Sequence, residues 1–341
     1  MKCYISKNYR NLGNAGDKAK TDIELIMDRL GFKNIGRPQT RSKNSVKAYL
    51  NTLFSVLKGV SSISKGDILV LQYPLKKYYD FVVDKAVSKG AKVITVIHDL
   101  GSFRRKKLTV EQEVARLNRS SAVIIHSPAM AGWLREKGVT VPLIELGLFD
   151  YLSETEAAAH NGIPHARPQL MFAGNVSPQA NGWIYRLAES EASVDLVLYG
   201  GGLDRSAATG NMIEKGFVDS DTLIATAQGD YGVVWYGSSL EEGAGPLGEY
   251  LQYNAPHKTS LYLRTGMPII IWDKAALADI VTRLGVGIAV PSLKGIGKVL
   301  EKITPAEYAR MRENAARVAE ELKEGKFMEE ALAKAVEACG N

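Results

Sequence analysis

The stretch Asn254-Ala255-Pro256-His257-Lys258-Thr259-Ser260-Leu261-Tyr262-Leu263-Arg264-Thr265-Gly266-Met267-Pro268-Ile269-Ile270-Ile271-Trp272 decides the fold class of this chain. It reads as a polar loop, a short helix, a Gly-Pro break and a buried strand. Pro256 suits the first helical position, where its fixed φ fits and its missing N–H would be unpaired anyway. Leu261, Tyr262 and Leu263 carry the helix to Gly266, a stop signal. Ile269, Ile270 and Ile271 then form an apolar run of the kind that is buried on both faces of a parallel sheet. His257, Lys258, Thr259 and Ser260 therefore sit on a helix N-terminus, whose open N–H groups and dipole attract anions. A lysine and two hydroxyls at that place read as a phosphate or diphosphate site; a polar helix start that only caps is the alternative.

Outward from this stretch, strand and helix patterns alternate along the whole chain, which predicts an α/β fold with right-handed parallel sheets. Upstream in the same half, strands are expected at 169–172, 194–199, 213–218 and 232–236, several followed directly by glycine, and a short helix at 221–227. Downstream, helices are expected at 275–284, 293–300 and 305–321, with a strand at 287–290 between the first two. The first half reads as strands at 2–6, 67–73, 92–97, 122–126 and 141–144. Helices at 17–30, 77–88, 110–117 and 129–136 lie between them. The length of 341 residues favours two domains. We expect domains at 1–160 and 168–325, joined by a Ser/Glu/Ala-rich linker at 150–168, with a last helix in 326–341 crossing back to the first. His160 and His165 read as solvated linker residues.

The net charge of +6 is unevenly distributed: residues 1–150 carry 26 Lys+Arg against 13 Asp+Glu, and residues 151–341 carry 17 against 24. A basic half and an acidic half point to different partners. Residues 39–58 are basic and amphipathic, with Val46, Leu50, Leu53, Phe54 and Leu57 on one helical face. This is either an ordinary sheet-packed helix or one that lies on an anionic membrane. Cys3 and Cys339 have no metal-type spacing and imply a reducing compartment. Neither a signal peptide nor a run of about 20 apolar residues is visible, so a cytoplasmic location is expected.

Ligands of open α/β sheets bind beyond the carboxyl ends of the strands. Polar or glycine-rich stretches fall there at Gly13–Gly16, Gln72-Tyr73, His98-Asp99, His126-Ser127, Gly174-Asn175, Tyr199-Gly200, Tyr236-Gly237 and Asn254–Ser260. Gly13-x-x-Gly16 lacks the third glycine of a dinucleotide fingerprint, so a tight strand-to-helix turn is the better reading. His98-Asp99 either supplies a general base for a hydroxyl proton or caps the next turn, with His98 filling space under the sheet. Asp219-Ser220-Asp221 has a metal-site spacing, but helix capping explains it more simply. P-loop, HExxH and G-x-S-x-G patterns are absent.

The pattern N-P-H-K-x-S-L-Y-L-x-x-G-x-P-x-I-x-W resembles that of bacterial β-1,6-galactofuranosyltransferases. It is also similar to the glucosyltransferases that extend N-acetylglucosamine on streptococcal serine-rich adhesins. Gly13–Gly16 with Asp22-Ile23-Glu24, His98-Asp99-Leu100 with Arg104, and Phe172-Ala173-Gly174-Asn175 fit the same resemblance in order. It implies a GT-B fold, two Rossmann-like domains facing a central cleft, and transfer of a hexose from a UDP-sugar to a sugar hydroxyl. The acceptor would be a surface glycan, lipid-linked oligosaccharide or glycoprotein, and no metal or other cofactor would be needed. In the second domain Gly174, Asn175, Tyr199, Gly200, Tyr236 and Gly237 would line nucleotide and sugar. Asn254, Pro256, His257, Lys258, Thr259 and Ser260 would hold the diphosphate, with Lys258 offsetting charge on the UDP leaving group. Asn14, Gly16, His98, Asp99 and Arg104 would belong to the acceptor side.

Ala255 stands where the resemblance leads one to expect a second Asn, and Thr259 is a variable position. Both leave the sugar undetermined. An inverting transfer would need Asp99 or another carboxylate as base. Glu241 and Glu249 have the spacing seen in retaining enzymes of the large two-domain class, though the glycines between them fit a flexible loop as well. A basic acceptor domain suits lipid-linked acceptors and a peripheral contact with the inner membrane face; a protein acceptor would not require it. Nucleic acid is not an expected partner, and a homo-oligomer stays open. A UDP-sugar epimerase and a non-catalytic nucleotide-sugar-binding subunit are the competing readings.

Overall fold

The computed structural model describes residues 1–10, 15–104, 108–159 and 162–340; the side chains of residues 15, 16, 76, 104 and 247 fall outside that description. The chain divides into two compact units, Met1–Asp150 with Gly325–Asn341 and Tyr151–Glu324. Their described residues form two six-stranded sheets, parallel in every pair.

The first unit runs β1 (Lys2–Tyr4), α1 (Ala15–Arg29), β2 (Lys33–Asn34), α2 (Ser45–Ser62), β3 (Ile68–Tyr73) and α3 (Tyr79–Ser88). It continues through β4 (Lys92–Ile97), α4 (Gly101–Arg104), α5 (Val110–Leu117), β5 (Ala122–Ile125), α6 (Pro128–Glu136) and β6 (Leu143–Glu145). The strand order is β2-β1-β3-β4-β5-β6. The apolar runs of β3 and β4 are covered on both faces and pair in register from Ile68 with Lys92 to Tyr73 with Ile97.

The second unit contains β7 (Gln169–Ala173), α7 (Pro178–Asn181), α8 (Trp183–Ser190), β8 (Asp195–Tyr199), β9 (Met212–Gly216) and α9 (Ser220–Thr226). Then follow β10 (Tyr231–Val234), α10 (Gly245–Tyr250), α11 (His257–Arg264), β11 (Ile269–Trp272) and α12 (Ala278–Arg283). β12 (Gly287–Val290), α13 (Ile296–Leu300) and α14 (Pro305–Glu324) complete it, and α15 (Lys326–Gly340) belongs to the first unit. The order here is β12-β11-β10-β7-β8-β9. The α/β expectation is met: both units are Rossmann-like.

The deciding stretch folds as a helix and a buried strand, with one shift. Pro256 takes the N-cap, in extended conformation, rather than the first helical position. β11 is wholly buried, and α11 packs on β10 because Gly232 leaves room: a Cβ there would lie 2.5 Å from the Tyr262 ring. Arg264, although charged, is buried, and its guanidinium donates to the carbonyls of Ser153 (2.8 Å), Thr155 (2.9 Å) and Ala319 (3.3 Å). These bonds offset much of the cost of burying a cation, although Nε has no hydrogen-bond partner among the described residues, and they fasten the start of the second unit to α11 and α14.

Other expectations need correction. α7 and α8 occupy a region where no helix is legible, since Gly182 divides the two and Pro178 opens the first. The glycine-rich interval before Glu249 is not simply a flexible loop: Gly245–Tyr250 is helical, and Gly243 and Gly248 pack backbone against backbone. His165 is not merely solvated, because its Nδ1 lies 2.9 Å from the carboxylate of buried Asp230. His160 lies outside the described residues.

Candidate functional site

In the second sheet β8 and β9 lie on one side of β7, and β10 to β12 lie on the other. Connections leaving β7 and β10 therefore diverge, and a crevice opens at the carboxyl ends of this pair. Phe172 lies near the end of β7, Tyr236 just past β10, and Lys258 in the first turn of α11. The Lys258 ammonium meets them there. It lies 3.9 Å from the centroid of the Phe172 ring and 4.6 Å from that of Tyr236, within cation–π range of both. A Cβ on Gly174 would stand 3.6 Å from Nζ. The residue keeps some exposed surface but its ammonium is enclosed, and burial alone lowers its pKa to about 7. Removing a charge from water without a counter-charge favours the neutral amine.

The helix start beside it is polar and unfilled. α11 has no side-chain cap. Asn254 Oδ1, Thr259 Oγ1 and Ser260 Oγ are buried with no hydrogen-bond partner among the described residues. Leaving such atoms unpaired costs about 1–3 kcal/mol each. The Thr259 and Ser260 hydroxyls can donate, and with the lysine and the helix N-terminus they suit an anion, whereas Asn254 Oδ1 only accepts and would need a donor. His257 stacks on Tyr151 at 4.7 Å between ring centroids. Tyr262 fixes the helix against β7: its hydroxyl accepts from the Ala173 N–H at 2.8 Å.

The glycine turns around the site are close-packed. The Gly174 N–H donates to the Tyr199 carbonyl at 2.8 Å, and a Cβ on Gly200, at φ +130°, would fall 1.8 Å from the Gly174 oxygen. Gly237, at φ +94°, is held as tightly: a Cβ would lie 2.2 Å from the Ala244 carbonyl oxygen. Only glycine fits either place. Asn175 is exposed, and its Oδ1 accepts from Ser177 N at 3.0 Å. Tyr199 joins through its backbone, since its buried phenol accepts from the Gln228 N–H at 3.0 Å.

In the first unit, His98 and Asp99 follow β4. Gln72 donates from Nε2 to the Lys20 carbonyl (3.0 Å), which turns its Oε1 toward His98 Nε2 at 2.8 Å. That oxygen only accepts, so His98 Nε2 carries the proton. The ring stacks on Phe149 at 5.5 Å, and His126 meets Phe149 edge-on at 5.0 Å. His98 is partly exposed and oriented rather than filler under the sheet. Burial holds His126 down at about 4 although Asp99 pulls the other way, so His126 is neutral and donates Nε2–H to Ile97 O at 2.9 Å. Asp99 is partly buried. Gly16 lies in the first turn of α1, Arg104 ends α4 with its side chain undescribed, and Asn14 lies outside the described residues.

The structure thus gathers Lys258, Gly174, Tyr236 and the polar atoms of 254–260 in one place. Phe172 and Tyr151, which complete that place, carry no sequence signal of their role, because their partners are distant along the chain. Asp219 caps α9, accepting from Asp221 N (3.1 Å) and Thr222 N (3.0 Å). Among the described residues no group of three or more His, Cys, Asp or Glu is arranged to hold a metal ion. Glu241 pairs with Lys294 at the surface, and Glu249 is exposed on α10.

Comparison with known proteins agrees with this architecture. The N-terminal domain of the Glucosyltransferase 3-like family matches residues 2–148, and its C-terminal domain matches residues 170–335. The β-1,6-galactofuranosyltransferase WbbI of Escherichia coli (strain K12) is 27% identical over 329 residues, 95% of either chain. Glucosyltransferase 3 of Streptococcus gordonii is 26% identical over 336 residues, 93% of either chain. Among solved structures, Anabaena HepE in complex with UDP superposes with a TM-score of 0.65 at 14% identity, covering 99% of this chain and 100% of HepE. Sucrose-phosphate synthase of Thermosynechococcus elongatus gives 0.62 at 13% identity, covering 97% and 98%. The two structural likenesses show the GT-B fold. With both domains of one family matched in order across nearly the whole sequence, the chain belongs to the Glucosyltransferase 3-like family and is a glycosyltransferase.

Proposed function

We propose that the enzyme transfers a hexose from a UDP-sugar to a sugar hydroxyl of a surface glycan, lipid-linked oligosaccharide or glycoprotein. The observation that carries this reading is Lys258, a desolvated amine at an uncapped helix start among unpaired polar atoms. A diphosphate would accept from the open N–H groups and return the amine to its ammonium form. The acceptor oxygen then bonds to the anomeric carbon, and the bond from that carbon to the β-phosphate oxygen breaks with its electron pair going to UDP. Lys258 and the helix dipole stabilise the charge that develops on that oxygen. Asp99 of the first unit takes the acceptor proton if the transfer inverts. No metal has a role in this scheme. HepE, whose structure carries UDP, and the galactofuranosyl- and glucosyltransferase relatives support the donor class.

A thermal-shift screen with UDP, dTDP and GDP tests the donor. UDP should raise the melting temperature most, and Lys258→Ala should lose most of that shift. An undiminished shift in the variant would remove Lys258 from the diphosphate site.

No helix among the described residues is long and apolar enough to cross a membrane. A peripheral contact would use α2, which exposes Val46, Tyr49, Leu50, Phe54 and Leu57 next to Lys43, Lys47 and Lys58. Apolar and basic groups on one helix face suit an anionic bilayer surface. Sedimentation with anionic vesicles, lost in Phe54→Glu, checks this contact.

A further inference from the structure

The first unit holds a cavity of about 300 Å³ that the donor chemistry does not use. It lies where the chain has just left β1, at Lys7 and Arg10, and where it has just left β3, at Leu75 to Tyr78; Tyr49 and Thr52 of α2 line it as well. In this sheet β2 lies on one side of β1, and β3 to β6 lie on the other. The cavity therefore occupies the topological switch of its sheet, as the Lys258 site occupies that of the second. Ligands of open α/β sheets bind at such places.

Its chemistry is one-sided. Lys7, Arg10 and Lys77 line it, and among the described residues no Asp or Glu does. The Lys77 ammonium lies 4.2 Å from the centroid of the Tyr49 ring and 5.5 Å from that of Tyr78. The Arg10 backbone N–H donates to the Asp17 carboxylate at 3.1 Å, and its guanidinium reaches the Ser45 hydroxyl and carbonyl at the start of α2, both at 3.3 Å. The Tyr78 hydroxyl is enclosed beside the Tyr49 hydroxyl, which also faces Lys77. Three cations suit an oxyanion, and the faces of tyrosine rings suit a sugar or an alkyl chain. The volume accommodates a diphosphate with part of a saccharide.

We propose that this cavity binds the phosphate-bearing end of the acceptor, a saccharide joined through a phosphate or diphosphate. The proposal rests on the reading of the first unit as the acceptor side. It gives Lys7, Arg10 and Lys77, three of the cations behind the positive excess of residues 1–150, a defined role.

The test uses the full-length protein saturated with UDP, so that the donor site is filled. It is titrated calorimetrically with inorganic pyrophosphate and, separately, with a short-chain alkyl diphosphate. Both should bind with unit stoichiometry and compete with each other. Lys77→Gln and Arg10→Gln should weaken both roughly tenfold or more, the scale of one hydrogen bond to a charged group. Lys58→Gln, an exposed position farther along α2, should change nothing, and UDP affinity should be equal in all variants. Thermal melts establish that the variants are folded, and the exposed Arg10 carries the test should Lys77→Gln fail to fold.

The proposal is overturned if the UDP-saturated enzyme binds neither anion, if Lys58→Gln weakens binding as much as the cavity variants do, or if the cavity variants bind like wild type. Binding of pyrophosphate with exclusion of the alkyl form would also overturn it, marking a free-anion site. A wild type that binds no UDP would sink the donor reading instead; the effects of Lys77→Gln and Arg10→Gln on pyrophosphate would still decide this one.

Discussion

Lys258 Nζ lies 3.9 Å from the centre of the Phe172 ring, so that an amine of the first turn of α11 is lodged against the end of β7. This relationship joins the two parts of the donor account. The ring and its surroundings exclude water and lower the amine's pKa to about 7, and the helix start leaves room for an anion that would restore its charge.

The Gly174–Gly200 contact gives a first prediction. Gly200→Ala places a methyl group 1.8 Å from the Gly174 oxygen at φ +130°, and neither backbone can yield without breaking the Gly174 N–H bond to Tyr199. Chemical denaturation should show a loss of about 2–4 kcal/mol, and UDP binding should fall with it. Gly201→Ala, where nothing lies within 4 Å of the added carbon, should cost far less.

Arg264 gives a second. Arg264→Ala leaves the carbonyls of Ser153, Thr155 and Ala319 without their donor. The expected destabilisation is about 3 kcal/mol, read by denaturant midpoint. Arg264→Lys should recover only part of it, because an ammonium lacks the planar fork that reaches carbonyls on two sides.

These two effects differ in how far the sequence announces them. The apolar runs of β3, β4 and β11 declare buried strands, and the Gly-Pro break after Arg264 declares where α11 ends; both are local patterns. Arg264 itself carries no local sign of burial, since its acceptors lie more than fifty residues away in either direction. The same holds for Phe172 under Lys258, Tyr151 on His257 and Gln72 against His98. α10 was illegible for a different reason: its glycines oppose helix by propensity, and the backbone packing of Gly248 on Gly243 overrides them.

Asp150 makes a pH-dependent prediction. Burial, with a smaller push from Asp22, raises its carboxyl to about 8, although it accepts from Met328 N (2.7 Å) and Phe327 N (3.2 Å) at the start of α15. In the unfolded chain it titrates near 4. The folded state therefore binds the extra proton between those values, and this group's contribution to stability is lost as pH rises from about 4 through about 8. Asp150→Asn cannot ionise. Its melting temperature relative to wild type should climb over that interval and level off above it.

Asp99 is tested by separating binding from transfer. Asp99→Asn should keep wild-type UDP affinity and lose transfer by about 10²-fold or more, the scale of general-base contributions. Transfer at the wild-type rate, measured with UDP-sugar and a competent acceptor, would remove Asp99 as the base.

The most direct test of the central claim is calorimetric titration of UDP into wild type and Lys258→Met between pH 6 and pH 8.5, in buffers of different ionisation enthalpy. Lys258 titrates near 7 in the free enzyme, and a bound diphosphate raises that value. Above pH 7, where the terminal phosphate of UDP is itself ionised, wild type should therefore approach uptake of one proton on binding, with affinity falling as pH rises further. Lys258→Met should bind at least tenfold more weakly at pH 6, and any proton uptake that persists should lack the wild-type rise near pH 7. Wild-type binding without that proton uptake, or a Met variant of equal affinity, would contradict the placement of the diphosphate on Lys258.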